Sequence, residues 1–257
     1  MRFGGLRRYS LRWWLALPFS LGDLYRKMTP RDPTVHGMTY WWHGKLDRRP
    51  VQRVFPTSAE ASYRILNAGR RDPTTSTTLY ELNCILLGLA EAGRGRALEI
   101  GTFDGNTTLN LAANVGDDGL VVTLDLPLEE SDPQLGLEVA AAERNVTDRR
   151  IVGEQYRGAP EETRIRQVLG DSAEVDFAAL GGPFDFAFID GCHAYDYVVS
   201  DTRKVLSVMR PGGIVMWHDY AEMESVSLAV DEFRGVFEDL VAIQGTRLAT
   251  GRVKARA

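Results

Sequence analysis

Sulfur and positive charge are both scarce in this chain. Two cysteines, Cys84 and Cys192, in 257 residues are too few for a disulfide framework and lack zinc-site spacing. A reducing, cytoplasmic setting is therefore the default expectation. Lys and Arg number 30 against 35 Asp and Glu, a net charge of −5. That balance argues against a general nucleic-acid binder, which needs a basic surface to displace counterions from phosphates. Low-complexity tracts and internal repeats are missing too, so the chain reads as an ordinary globular protein able to bury one substantial core. Long apolar runs are absent: Trp13–Phe19 is far too short to cross a bilayer and is interrupted by Pro18. Arg7-Arg8-Tyr9-Ser10-Leu11 resembles a twin-arginine export signal, but no small-residue cleavage site follows it. With Arg2, Arg7, Arg8 and Arg12 ahead of the tryptophans, this segment reads as an amphipathic arm that packs on the domain or on a second copy of the chain. Contact with a membrane surface, without stable insertion, is the alternative.

Two parts are expected: an irregular N-terminal extension over 1–75, and a folded domain over 76–257. Residues 29–60 hold many Pro, Arg, His and Trp without a sustained period. From Thr77 the pattern changes. Leu79, Leu82, Leu86 and Leu89 recur at helical spacing, with Thr77 or Thr78 as cap and Gly93 as stop. Strands are expected at 96–101, 120–124, 165–169, 184–189 and 214–217. Helices are expected at 107–114, 135–144, 197–209 and 225–237, with a short one near 177–180. A closing strand pair spans 240–243 and 247–253. Apolar strands alternating with amphipathic helices imply a Rossmann-like α/β sandwich, a mostly parallel sheet with helices on both faces and one antiparallel edge strand. Residues 126–163 make a long connection suited to a lid or substrate wall.

The most informative run is Ala97-Leu98-Glu99-Ile100-Gly101-Thr102-Phe103-Asp104-Gly105-Asn106-Thr107-Thr108. An apolar strand ends in a glycine turn, and a helix follows. Small residues let a ligand approach the backbone, and the helix start offers unpaired N–H groups. A dinucleotide fold wants G-x-G-x-x-G, but Phe103 stands where its second glycine would make room for a pyrophosphate. The pattern E-x-G-x-x-x-G instead resembles the first motif of class I S-adenosylmethionine-dependent methyltransferases. That likeness implies a seven-stranded sheet and a cofactor contacted by Glu99, Gly101, Thr102, Phe103, Gly105, Asn106 and Thr107. Asp125 closes the next strand, where a carboxylate can accept from both ribose hydroxyls. Asp171 and Ser172 close the third, where Asp171 can accept from the adenine amino group. These acids share the carboxyl ends of strands with the glycine turn, where open α/β sheets bind ligands.

A second constellation is Asp190-Gly191-Cys192-His193 followed by His218-Asp219-Tyr220, again at the ends of apolar strands. If those strands are neighbours, about 4.8 Å apart, Asp190 and Asp219 can share one cation. His193 lies about one turn beyond Asp190 and can face the same pocket. His218 has three open roles: metal ligand, orienter of Asp219, or substrate contact. The plainer readings are a helix cap for Asp219 and a structural hydrogen bond for His193.

With the glycine motif, residues 77–253 are similar to the metal-dependent O-methyltransferases that modify macrolide sugars, and to the related cephalosporin-hydroxylase group. The likeness implies a divalent metal, magnesium or manganese, held by Asp190, His218 and Asp219, with Asp190 also bordering the cofactor. It implies His193, from the D-x-x-H pattern, as general base, so that Asp190 and His193 form the catalytic pair. The departure is His218, which stands where the macrolide enzymes carry an acid; an imidazole ligand shifts the preference toward manganese, iron or cobalt.

The expected partner is a small-molecule acceptor, a sugar diol or a catechol whose vicinal oxygens can chelate the metal, read by residues within 29–60, 126–163 and 220–226. Aromatics such as Trp41, Trp42, Tyr156 and Tyr220 can stack on a sugar, and equally can serve as packing residues. The arm offers a route to a homo-oligomer. Three other functions fit parts of the pattern: a nicotinamide-dependent oxidoreductase, an iron and oxygen hydroxylase, and a non-catalytic S-adenosylmethionine-binding module. The cofactor choice is directly testable: in a calorimetric titration S-adenosylhomocysteine binds and NADH does not, and the reverse result would identify a dehydrogenase.

Overall fold

The computed structural model describes residues 44–58, 60–70, 77–127 and 151–254. The N-terminal arm with Trp41 and Trp42, and the helix expected at 135–144, lie outside these residues. The strands are β1 (Arg48–Arg49), β2 (Ala97–Ile100), β3 (Val121–Asp125), β4 (Ile165–Leu169), β5 (Phe184–Ile189), β6 (Met209–Trp217), β7 (Phe237–Ile243) and β8 (Ala249–Val253). The helices are α1 (Val51–Val54), α2 (Leu79–Glu91), α3 (Asn106–Ala112), α4 (Tyr195–Val208) and α5 (Glu224–Glu232), with a 3-10 turn at Phe177–Leu180.

One eight-stranded sheet has the order β1-β7-β8-β6-β5-β2-β3-β4. It is the expected α/β sandwich with two differences. An eighth strand, β1, pairs parallel to β7 through Arg48↔Ala242 and Arg49↔Ile243. The reversed strand is β8, which runs antiparallel to both β6 and β7 and so lies two places in from the edge. The hairpin joining β7 to β8 turns at Gly245 (φ 80°), a left-handed conformation that glycine adopts without a Cβ penalty.

The apolar strands explain the layering. In β5 and β6, Phe186, Phe188, Ile214 and Met216 face one side, while Ala187, Ile189, Val215 and Trp217 face the other. The first face packs on α1, α2 and α3 through Val51, Phe55, Leu82, Leu86, Leu89 and Leu111. The second packs on α4 and α5 through Val198, Val205, Val226 and Val230. Trp217 is fully buried; it meets Phe237 edge-on at 5.1 Å, and its indole N–H donates to Thr202 Oγ1 at 2.9 Å. Of the two expected caps for α2, Thr78 is the one used, and Glu81 makes the cap reciprocal: Thr78 Oγ1 accepts from Glu81 N at 3.2 Å, and Glu81 Oε2 accepts from Thr78 N at 2.8 Å.

Residues 44–58 are better ordered into the fold than an irregular extension would be. Leu46, Val51 and Phe55 are each 2% exposed, and Phe55 lies against Gly88 of α2. Burial of these apolar side chains ties the segment to the domain that follows. Phe55→Ala should therefore cost about 3–5 kcal/mol, the usual range for emptying a buried phenylalanine site. A denaturant titration followed by both fluorescence and circular dichroism checks this: one shared transition shifts, whereas separate transitions would make 44–58 an independent unit.

Candidate active site

The strand registers are level at their carboxyl ends. Ile100 pairs with both Leu124 and Ile189, Leu169 with Asp125, and Ile189 with Trp217. The next residue of each strand still joins the ladder: Gly101 N donates to Leu124 O, Asp190 N to Ile100 O, His218 N to Ile189 O, and Gly170 N to Asp125 O, all at 2.8–3.0 Å. Five adjacent strands thus end in a row that presents Asp171, Asp125, the glycine turn, Asp190 and the His218–Asp219 pair along one edge.

Gly101 (φ 93°) is required by close approach: a Cβ there would lie 2.0 Å from Asp190 O. Phe103, the residue that replaced a glycine, also takes a left-handed conformation (φ 57°), and its N–H donates to Asp125 Oδ2 at 2.7 Å. The end of the long connection covers this turn. Gly153 N donates to Phe103 O, Gln155 N donates to Asp104 O, and a Cβ on Gly105 would lie 2.6 Å from the Tyr156 ring. Tyr156 and Tyr220 are both buried, the latter with its hydroxyl donating to Asp231 Oδ1 and accepting from Leu46 N. Both are packing residues and offer no stacking face for a sugar.

The expected cofactor residues divide by surroundings. Asp125 and Asp171 are partly exposed, and Tyr197 Oη donates to both oxygens of Asp171 at 2.9–3.0 Å. Thr107 is partly exposed, whereas Thr102 and Asn106 are buried in hydrogen bonds to Thr123 and to the Asn67 carbonyl. Ser172 lies beside Asp201, whose carboxyl is pushed up to about 7 by burial, against the opposing pull of Ser172 and Lys204. Glu99 is fully buried under the turn: Oε2 accepts from Thr108 and Thr123, while Oε1 has no partner among the described residues. Burial pushes its carboxyl up to about 8, against those two hydroxyl donors.

At the other end, the ligand-capable atoms of Asp190, His193 and Asp219 lie within 4.8 Å of one another. His193 Nε2 is 2.9 Å from Asp219 Oδ2. His218 sits behind this group: its Nδ1 is 3.2 Å from both Asp190 Oδ1 and Asp219 Oδ2, and its Nε2 is 3.4 Å from Glu81 Oε2. The donor set brought together therefore contains His193 where the family likeness implied His218. Burial alone would depress the His218 pKa, but Asp190 and Asp219 outweigh it and raise it well above the ordinary imidazole value. Burial opposes ionisation of Asp219 too, yet His218 and His193 hold it well below the carboxylate range.

Glu81 and Arg247 also meet this cluster. Arg247 donates from N and Nε to Glu81 Oε1 at 2.8 and 3.1 Å, and from its Nη2 to Oε2 at 3.1 Å. Its Nη1 reaches Asp219 Oδ1 at 3.3 Å and Glu222 Oε2 at 3.2 Å. Asp219 (φ 54°) and Ala221 (φ 72°) are both left-handed, a strain of about 1–3 kcal/mol each that surrounding contacts must maintain.

Among known proteins, residues 98–220 match the family described as a methyltransferase domain. The catechol O-methyltransferase of Mycobacterium tuberculosis is 32% identical over 149 residues, covering 54% of this chain and 59% of that relative. The match thus spans less than two thirds of the relative's length. The O-methyltransferase TomG of Streptomyces achromogenes, solved with S-adenosylmethionine, aligns with a TM-score of 0.51 and 18% identity over 79% of this chain and 96% of its own. An O-methyltransferase from Bacillus cereus, solved with S-adenosylhomocysteine, aligns with a TM-score of 0.53 and 16% identity over 79% and 90%. At these identities the two structures bear on the fold. Among the described residues no helix is long and apolar enough to cross a membrane.

Glu99 gives the site a pH signature. Its raised folded pKa means that the folded state holds a proton the unfolded state has released. That contribution to stability is complete below the unfolded value near 4.5 and is lost as pH rises to about 8. Glu99→Gln should remove this decline, so thermal melts of variant and parent diverge in slope between those limits; parallel curves would contradict it.

Proposed function

We propose that the methyltransferase domain at 98–220 is that of an S-adenosylmethionine-dependent O-methyltransferase acting on a small molecule with vicinal oxygens, sugar-containing, polyhydroxylated or catechol-like. The observation that carries this reading is the convergence of Asp190, His193 and Asp219 beyond β5 and β6, the two strands next to the glycine turn of β2. The catechol O-methyltransferase relative supports the acceptor class.

In this reading Gly101 and Gly105 let the turn pack closely against Asp190 and Tyr156 and so fix its shape for the cofactor, with Thr102, Phe103, Asn106 and Thr107 contributing to it and Glu99 beneath. Asp125 accepts from the ribose hydroxyls, and Asp171 with Ser172 borders the adenine. Asp190 then stands between cofactor and acceptor. A carbon–oxygen bond forms as the carbon–sulfur bond breaks, and the sulfonium recovers the electron pair as S-adenosylhomocysteine departs. Alignment of the two reactants contributes about 7–11 kcal/mol, because the methyl is already activated. The acceptor proton must go to a base. In this reading His193, oriented by the Asp219 carboxylate 2.9 Å away, takes that proton, a role worth about 10²–10⁴-fold.

The same three side chains fit a divalent cation, and the imidazole favours manganese, iron or cobalt over magnesium. When bound, such a cation lowers the pKa of the accepting hydroxyl and orients it. His193 cannot serve as ligand and base at once, so chelation separates the two uses. With 3,4-dihydroxybenzoate as probe acceptor, EDTA should abolish methyl transfer and manganese restore it. Asp190→Asn and Asp219→Asn should each lower turnover about 10²-fold or more, near the scale of one lost catalytic group. Full turnover in excess EDTA, with no metal in the protein by elemental analysis, leaves the His193–Asp219 base and removes the metal.

A further inference from the structure

We infer that Arg247 and Glu81 are positioning residues that hold Asp219 in register with Asp190 and His193, a role resting on the metal-site reading above. The geometry is that of a clamp with one jaw in the β7–β8 hairpin and the other at the start of α2. The guanidinium binds both oxygens of Glu81 while its remaining nitrogen holds Asp219 and Glu222, so one planar group fixes two elements at once. The main chain of Arg247 repeats the link: its N–H donates to Glu81 Oε1, and its carbonyl accepts from Tyr220 N at 2.8 Å. Asp219, Tyr220 and Glu222 are therefore all tied to a single residue.

That turn needs holding. Asp219 and Ala221 adopt left-handed backbone that neither residue type prefers, and Ala221 N is retained by Ser227 Oγ at 2.8 Å. Glu81 acts on the other side: its Oε2 faces His218 Nε2 at 3.4 Å, and His218 Nδ1 stands against both Asp190 and Asp219. Glu81 is 2% exposed, which leaves it no solvent to substitute for these partners. Neither Arg247 nor Glu81 belongs to the converged donor set, so each acts through Asp219 or His218. Partners of this outer kind change metal affinity by about 10–100-fold when removed.

The test is manganese binding to the full chain, followed by electron paramagnetic resonance of free Mn²⁺, with calorimetric S-adenosylhomocysteine affinity measured on the same samples. Arg247→Met should weaken Mn²⁺ about 10–100-fold and leave S-adenosylhomocysteine within about twofold. Arg247→Lys keeps a cation near Asp219 but loses the fork, and should fall between parent and Arg247→Met. Because both residues serve one clamp, Glu81→Gln combined with Arg247→Met should weaken Mn²⁺ no further than the worse single variant. Unchanged Mn²⁺ affinity in Arg247→Met overturns the inference alone. So does a loss of S-adenosylhomocysteine binding in step with Mn²⁺, which marks general loosening. A parent protein that binds no Mn²⁺ removes the metal reading and this inference together.

Discussion

Gly101 and the Asp190 carbonyl approach so closely that no side chain fits between them, and the two halves of the site meet at this contact. On one side lie the glycine turn and the acids of β3 and β4; on the other lie Asp190, His193 and Asp219. In the proposed methyl transfer, donor and acceptor atoms must lie about 3–3.5 Å apart and in line, so the spacing between halves would be part of that chemistry. A parallel sheet supplies that spacing rigidly. The main-chain ladder continues through Gly101, Asp190 and His218, so these residues are fixed by backbone hydrogen bonds before any side chain contributes.

Behind the reaction end, charge is gathered where water is scarce. Glu81, His218 and Asp219 are all buried, and Arg247 is nearly so. Placing ions in such surroundings is costly unless each is paired with good geometry, and removal of one partner then strands another. Here the carboxylates of Asp190 and Asp219 share His218, while Glu81 shares Arg247 with Asp219. The arrangement lets Asp219 stay ionised although it is withdrawn from solvent. Glu99 shows the opposite outcome: with only hydroxyl donors and one bare oxygen among the described residues, burial prevails and raises its pKa to about 8.

What the sequence disclosed depended on distance along the chain. Local signals were readable: Thr77 or Thr78 as a cap, the run from Glu99 to Gly105 as a strand and turn, and Asp125, Asp171 and Asp190 as strand ends. Those strands pair in the order that puts their acids on one edge. The clamp was invisible, because Arg247 and Glu81 are separated by 166 positions and neither carries a motif. The separate surroundings of His193 and His218 depended on side-chain direction: His218 is buried between Glu81 of α2 on its Nε2 side and Asp190 and Asp219 on its Nδ1 side, whereas His193 meets Asp219 from the more exposed side. Likewise β1 is two residues long, too short for any periodic signal to mark it.

The reversed strand β8 has a consequence for how this protein can change. A parallel strand would have left the sheet at its carboxyl edge and needed a long return; the antiparallel hairpin delivers a tight turn to that edge instead. The hairpin turn is therefore an adjustable part, built from few residues, whose length sets where Arg247 stands. A slip of two residues in its pairing would carry Arg247 about 6.6 Å along the strand while keeping every side chain on its own face. Insertions or deletions at Gly245 would thus retune the site without altering any residue that lines it, leaving a lineage free to drift in chemistry while its core sequence looks unchanged.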